Sequence, residues 1–188
     1  MVAVVSGLPR SGTSMMMKML DVGGIPPLTD EIREADADNP KGYYEFERVK
    51  KLDKGDTAWV EDAEGKAVKV IAALLKYLPS EYTYKVIFMR RKIKEVLASQ
   101  KQMLINRGEP TDLVSDKELT ELFEKHLQHI EVWAHRQNNV EFLYVSYNDL
   151  LANPRPQVER VNQFLGDKLD MEKMVEVVDP NLYRQRRG

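Results

Sequence analysis

The sequence predicts an α/β domain: a central parallel sheet of about four strands, flanked by helices in three layers. Two observations predict it. Short apolar, β-branched runs alternate with segments of helical periodicity along the chain, and that alternation is the signature of parallel strands joined by crossover helices. One of these runs, Tyr84–Arg90 (YKVIFMR), is almost continuously apolar, as a strand covered on both faces must be. The 188 residues are enough for one domain with a substantial core, and the reading takes 1–188 as a single domain.

The elements follow in order. Residues 2–20, VAVVSGLPRSGTSMMMKML, read as a strand over Val2–Val5, a tight loop over Gly7–Thr13 and a helix starting over Ser14–Leu20. Met15, Met16, Met17, Met19 and Leu20 are packing residues, since methionine fills irregular core space. Gly23-Gly24 stops that helix and Pro26-Pro27 keeps the chain extended. Residues 28–44 are acidic and turn-rich, a long irregular segment of the kind that lines sites. Residues 45–54 are predicted as a short amphipathic helix, about 66–71 as a strand, and AALLKYL as a short helix closed by Pro79. After Tyr84–Arg90, RRKIKEVLASQKQMLINRG forms a helix with Val96, Leu97, Met103 and Leu104 on its apolar side and Gly108 at its end. Ser115 and Glu118 make a capping box. It opens a helix with Leu119, Leu122, Phe123, His126, Leu127, Ile130 and Trp133 at helical spacing. The three histidines, His126, His129 and His135, lack any accompanying carboxylate or hydroxyl motif and read as structural. VEFLYVSY (140–147) is the fourth strand, and NDLLANPRPQVERVNQFLG holds two helices separated by Pro154 and closed by Gly166. The tail NLYRQRRG is basic and suited to solvent or to an anionic ligand.

A net charge of −2 does not suggest a nucleic-acid binder held by overall charge, and the absence of cysteine excludes disulfides and thiol chemistry and fits a reducing, cytoplasmic compartment. No apolar run has the length of a membrane span, so neither a membrane nor a nucleic acid is expected as a partner.

The chemistry lies in GLPRSGTS. A strand, a glycine loop and a helix N-terminus present backbone N–H groups and the positive end of a helix dipole to an anion. The G-x-x-x-x-G spacing is that of a phosphate loop, so the domain is P-loop-like, but Thr13 stands where the Walker motif has lysine. Ser11, Thr13 and Ser14 add hydroxyls. Such a loop can hold a phosphate while lacking the lysine that reaches the outer phosphates of ATP or GTP. Arg90 and Arg91 also follow a strand end, and ligands of parallel sheets sit at those carboxyl ends.

At this point the chain resembles the sulfotransferases that use 3′-phosphoadenosine 5′-phosphosulfate (PAPS). GLPRSGTS resembles the family's 5′-phosphosulfate loop, P-[KR]-[ST]-G-T-[TS]. RKIKEVLAS (91–99) resembles its 3′-phosphate motif, an arginine and a serine eight residues apart. YNDLLANP, followed by a helix ending FLG, resembles its Y-E-D-L-x-x-(D/N)-P segment, and DNPKGYYEF resembles a segment of bacterial members. The resemblance implies an enzyme that moves a sulfuryl group from PAPS to a hydroxyl or amine, releasing the bisphosphate PAP. It implies that Arg10, Ser11, Gly12, Thr13 and Ser14 hold the 5′-phosphosulfate, that Arg91 and Ser99 bind the 3′-phosphate and that Tyr147 meets the adenine. Arg10 falls on the catalytic lysine of cytosolic members, where protein-tyrosine sulfotransferases have arginine. Lys69 matches a lysine near the sulfuryl group.

Two departures accompany the match. The position of the histidine base in cytosolic members falls near Ile71. Tyrosylprotein and carbohydrate members use a glutamate after the phosphate loop, and Glu31, 21 residues after Arg10, has that place, with Glu34 and Glu45 as alternatives. Met15 stands where cytosolic members stack a tryptophan on adenine. No metal is expected, because charge building on the leaving phosphate is met by placed cations. The alternatives are a P-loop small-molecule kinase using ATP and Mg²⁺, which wants Gly-Lys-[ST], and a nucleotide-binding module without catalysis. The acceptor, whether small molecule, carbohydrate, lipid or peptide, has no signature here.

Overall fold

The computed structural model describes residues 1–30, 44–111 and 113–178. Four parallel strands form one sheet in the order β2-β1-β3-β4: β1 Val2–Gly7, β2 Ala67–Lys69, β3 Tyr84–Arg90 and β4 Val140–Ser146. Register runs from Val2 opposite Tyr84 to Gly7 opposite Met89, and from Tyr84 opposite Val140 to Arg90 opposite Ser146. The chain leaves β1, adds β2 on one side, then crosses back to add β3 on the other. The carboxyl ends of β1 and β3 therefore flank a switch point, where ligands of open parallel sheets bind.

Alternation along β1 divides the core into two layers. Ala3 and Val5 face α1 (Thr13–Val22), α5 (Pro154–Leu165) and α6 (Met171–Glu176), where Met16, Met17, Met19, Val158, Val161 and Met174 are buried. Val2 and Val4 face the other way, toward Trp59, Val60, Leu75, Phe88 and Ile130. The methionines expected to pack do so, with Met15 at the edge of that cluster.

Several elements differ from expectation. β1 runs on to Gly7, while β2 is only three residues long, and the two short helices, Glu47–Lys54 and Ala72–Tyr77, are 3₁₀ segments. Tyr147 opens α4 (Tyr147–Ala152) rather than closing β4, because the Ser146 hydroxyl accepts from the Asp149 N–H as an N-cap. Helix α6 lies between Gly166 and the tail, where the sequence reading assigns no element. The Asp170 carboxylate caps it, and its Met174 seals the core beneath Gly23.

The capping box at Ser115 and Glu118 opens α3 (Asp116–Ala134) as expected. The apolar spacing of α3 overstates its burial: Ile130 is buried, while Leu122 is 59% exposed. In α2 (Ile93–Asn106) only the first half carries buried residues, namely Glu95, Val96, Leu97 and Ser99. No helix among the described residues is long and apolar enough to cross a membrane.

Candidate active site at the carboxyl ends of the strands

The loop between β1 and α1 is shaped by its two glycines. Gly12 has φ +96°, and a Cβ there would stand 2.3 Å from Cδ2 of Tyr147. At Gly7, the last residue of β1, a Cβ would meet the carbonyl of Met89, its partner in β3, at 2.7 Å. Arg10 also takes a left-handed conformation, φ 66°, which turns the chain between them. Among the described residues no side chain caps α1, so its N-terminus presents backbone donors to the space above the strands.

Ser11 closes the loop on itself. Its hydroxyl donates to the Leu8 carbonyl at 2.7 Å and its N–H to the same oxygen at 3.2 Å, and the residue is buried. Its hydroxyl proton is therefore committed to loop shape. Thr13 and Ser14 form the first turn of α1. The Lys69 ammonium, at the end of β2, donates to the Ser14 hydroxyl at 3.0 Å. Lys69, Ser14 and the loop thus meet on the β2 side of the site.

The β3 side gathers the remaining expected residues. Arg91 donates from Nη1 to the Arg10 carbonyl and from Nε to Glu95 Oε2, both at 3.0 Å. Arg10 Nε donates to the Ser99 hydroxyl at 3.0 Å. The Arg91 guanidinium lies 4.5 Å from the centre of the Tyr147 ring, a cation–π contact. That ring is buried against Gly12, and its burial pushes the phenol pKa up, opposed by the charge of Arg91. Sequence reasoning does not place Glu95 or Asn148 in the site. Asn148 Nδ2 donates to Glu95 Oε1 at 2.9 Å and ties the start of α4 to that of α2. Asn148 is visible in the sequence only as part of the YNDLLANP match. A glutamate four residues after an arginine at a helix start is the available signal for Glu95.

Glu31 and Glu34 lie outside the described residues. Glu45 is described: its carbonyl accepts from the Thr29 hydroxyl at 2.8 Å and the Asp30 N–H at 3.4 Å, and its carboxylate pairs with Lys50 at 3.5 Å. Leu28 N–H bonds the Ala67 carbonyl, and Pro27 bridges Ala67 in parallel. Pro27 and Leu28 therefore run beside the start of β2, the strand that carries Lys69. The histidines lie on or at the end of α3: His126 is half-buried and its pKa is pushed down by burial and by His129, and His135 sits at the C-terminus of the helix.

Among solved structures the chain is similar to a sulfotransferase domain from the curacin biosynthetic pathway, with TM-score 0.53 and 16% identity over 100% of this chain and 78% of that one. It is also similar to retinol dehydratase, solved in complex with androsterone and the inactive cofactor PAP, with TM-score 0.50 and 19% identity over 94% of this chain. The chain spans 62% of the length of that second protein. These likenesses speak for the fold. No curated protein matches the chain. The family model described as a sulfotransferase domain matches residues 2–186, nearly the whole chain, which therefore belongs to the sulfotransferase family.

Proposed function

We propose that this sulfotransferase binds PAPS across the ends of β2, β1 and β3 and transfers its sulfuryl group to a hydroxyl or amine, with residues 1–188 acting as one domain. The observation that carries the reading is the division of the site. Lys69 and Ser14 converge with the N-terminus of α1 on one side, Arg91 and Ser99 lie on the other, and Arg10 of the loop joins the two, its carbonyl bonded by Arg91 and its Nε on Ser99. Two separated cationic centres suit a nucleotide with phosphates on both its 5′ and 3′ oxygens. The residues present thus fit the donor.

In this reading the backbone of Gly12, Thr13 and Ser14 and the hydroxyls of the latter two hold the 5′-phosphosulfate. Ser11 keeps the loop in shape. Lys69 and Arg10 supply positive charge to the oxygen that bridges sulfur and the leaving phosphate, where negative charge grows. Arg91 and Ser99 take the 3′-phosphate, and Tyr147 supports Arg91 and the loop beneath the adenosine. No metal is assigned a part. Glu31 is proposed as the base that accepts the acceptor's proton, because it follows the glycine loop at the spacing of the glutamate in the tyrosylprotein members that the sequence resembles. Glu45, engaged with Lys50, is less suited. The acceptor is a small molecule, carbohydrate or peptide, and the compartment proposed is the cytoplasm.

Calorimetric titration with PAP, set against ATP with Mg²⁺, tests the donor. Tight PAP binding with weak ATP binding is expected. Metal-dependent ATP binding without PAP binding would replace the reading with a kinase. Glu31→Gln should leave PAP binding intact and slow transfer about 10²–10⁴-fold. Unchanged turnover would remove Glu31 from the role.

A further inference from the structure

Glu95 is a carboxylate in a place where charge alone argues against one. It is 2% exposed and sits beside Arg91, the residue proposed to receive a phosphate. A negative charge next to a phosphate site weakens phosphate binding unless it does something else. Its hydrogen bonds show what that is. Oε2 accepts from Arg91 Nε at 3.0 Å, and Oε1 accepts from Asn148 Nδ2 at 2.9 Å. The Asn148 Oδ1 in turn lies 3.5 Å from the Lys92 N–H at the start of α2. The Arg91 side chain is 7% exposed and is held on three sides: by Glu95, by the Arg10 carbonyl and by the Tyr147 ring.

Both oxygens of Glu95 therefore face donors. Only a group that accepts at both ends satisfies them, and glutamine, with one oxygen and one NH₂, would turn a donor against a donor. We propose that Glu95, bridged by Asn148 to the start of α4, is a positioning residue. It fixes the plane of the Arg91 guanidinium and so sets the enzyme's preference for a nucleotide carrying a 3′-phosphate. The proposal rests on the assignment of Arg91 to that phosphate. It implies a division of labour: Arg91 supplies the charge, and a buried carboxylate is kept at an electrostatic cost to aim it. Holding geometry at a cost in net stability is a use documented for buried ion pairs in some proteins.

The test turns on a sign. Affinities for PAP and for adenosine 5′-monophosphate are measured calorimetrically on the wild-type protein, Glu95→Gln, Asn148→Ala and the double variant Glu95→Gln/Asn148→Asp. If Glu95 aims Arg91, neutralising it lowers the ratio of PAP to monophosphate affinity, by about tenfold for one mispaired buried donor. The double variant recovers most of that ratio. In it, the introduced amide oxygen accepts from Arg91 and the amide nitrogen donates to the introduced carboxylate on α4, restoring the complementarity with the same net charge. Asn148→Ala keeps the Glu95 charge and lowers the ratio less, and it carries the test should Glu95→Gln fail to fold. A ratio that holds or rises in Glu95→Gln, or an Asn148→Ala protein indistinguishable from wild type in both ligands, overturns the proposal. So does an equal loss for PAP and monophosphate without recovery in the double variant, which is the mark of a merely structural residue. If the wild-type protein itself binds the two nucleotides equally, the assignment of Arg91 has failed, and that outcome is separate from a failure of Glu95 alone.

Discussion

The glycine loop after β1 is made from consecutive residues, Gly7 to Ser14, whereas the cluster around Arg91 draws Arg10 from that loop, Glu95 and Ser99 from α2, and Tyr147 and Asn148 from the start of α4. The first is governed by backbone conformation: positive φ at Arg10 and Gly12, a helix start with no side-chain cap among the described residues and a serine folded onto Leu8. The second is governed by side-chain complementarity, with a buried guanidinium, a buried carboxylate and a half-buried amide each meeting the next. The contrast teaches where each end is fragile. The loop tolerates little change in shape. The cluster tolerates little change in hydrogen-bonding type.

The largest effect should come from breaking the cluster at its charge. Arg91→Ala leaves the Glu95 carboxylate buried without its cation, and losing one partner of a buried pair costs about 3–5 kcal/mol of stability. Chemical denaturation measures it, and a loss below about 1 kcal/mol would show the pair to be solvated. In the folded fraction, PAP affinity should fall by about 1.5–3 kcal/mol more than adenosine 5′-phosphosulfate affinity, as befits a lost charged hydrogen bond to the 3′-phosphate.

Next comes the loop. Gly12→Ala places a methyl 2.3 Å from Tyr147 Cδ2 at a φ of +96° and should cost about 2–3 kcal/mol, with loss of PAP binding. Because one of the two penalties is the ring and the other the backbone, combining Gly12→Ala with Tyr147→Leu should destabilise by less than the sum of the single changes. Strict additivity would mean that the ring swings aside at no cost. This couples the two regions that the comparison separates, since Tyr147 touches the loop on one side and Arg91 on the other.

Ser99→Ala is a smaller perturbation. It removes the hydroxyl that accepts from Arg10 Nε at 3.0 Å and should weaken PAP binding by about 0.5–1.5 kcal/mol, with little effect on adenosine 5′-monophosphate. Equal weakening of both nucleotides would place Ser99 in the loop's support rather than at the 3′-phosphate.

The same contrast explains what can be read without the fold. The loop is legible because its spacing, its Gly-Thr-Ser run and its flanking apolar strand are local. The sheet is legible because Val2–Val5 and Tyr84–Arg90 are largely buried runs whose composition reports their burial, while 140–146, half-buried except for Val145 and the exposed Glu141, is legible from its apolar, β-branched and aromatic run. Arg91 and Ser99 are legible as a spaced pair, but the reason Arg91 is held, through Glu95 and Asn148, is a contact across 53 residues and has no local signature. Ser11 reads as a phosphate ligand because a serine in a glycine loop has that composition. That its proton goes to Leu8 depends on the loop's fold. The short helix α6 has no signal in the sequence because its six residues are too few to show a period. The apolar spacing of α3 promises more burial than the fold delivers, since periodicity fixes which residues share a face and not how much of that face is covered.

Helix α3 also supplies the smallest expected effect and a control for the others. His126 is half-buried, packed toward the 3₁₀ segment that holds Lys76, and its imidazole pKa is pushed below the ordinary value, first by burial and then by the charges of His129 and Lys76. A histidine with a lowered folded pKa is more readily protonated when the chain unfolds. Its contribution to stability is thus present above the unfolded value near 6.5 and is lost as pH falls through the folded value. Between pH 7 and pH 5.5 the melting temperature of the wild-type protein should drop by a little more than that of His126→Gln, by no more than about 2 °C, since the site is partly solvated. Because α3 contributes no residue to the phosphate loop or the Arg91 cluster, PAP affinity at any one pH should be the same in both proteins. A variant that shifted affinity as well as melting would tie α3 to the nucleotide site and erase the separation on which the larger predictions depend.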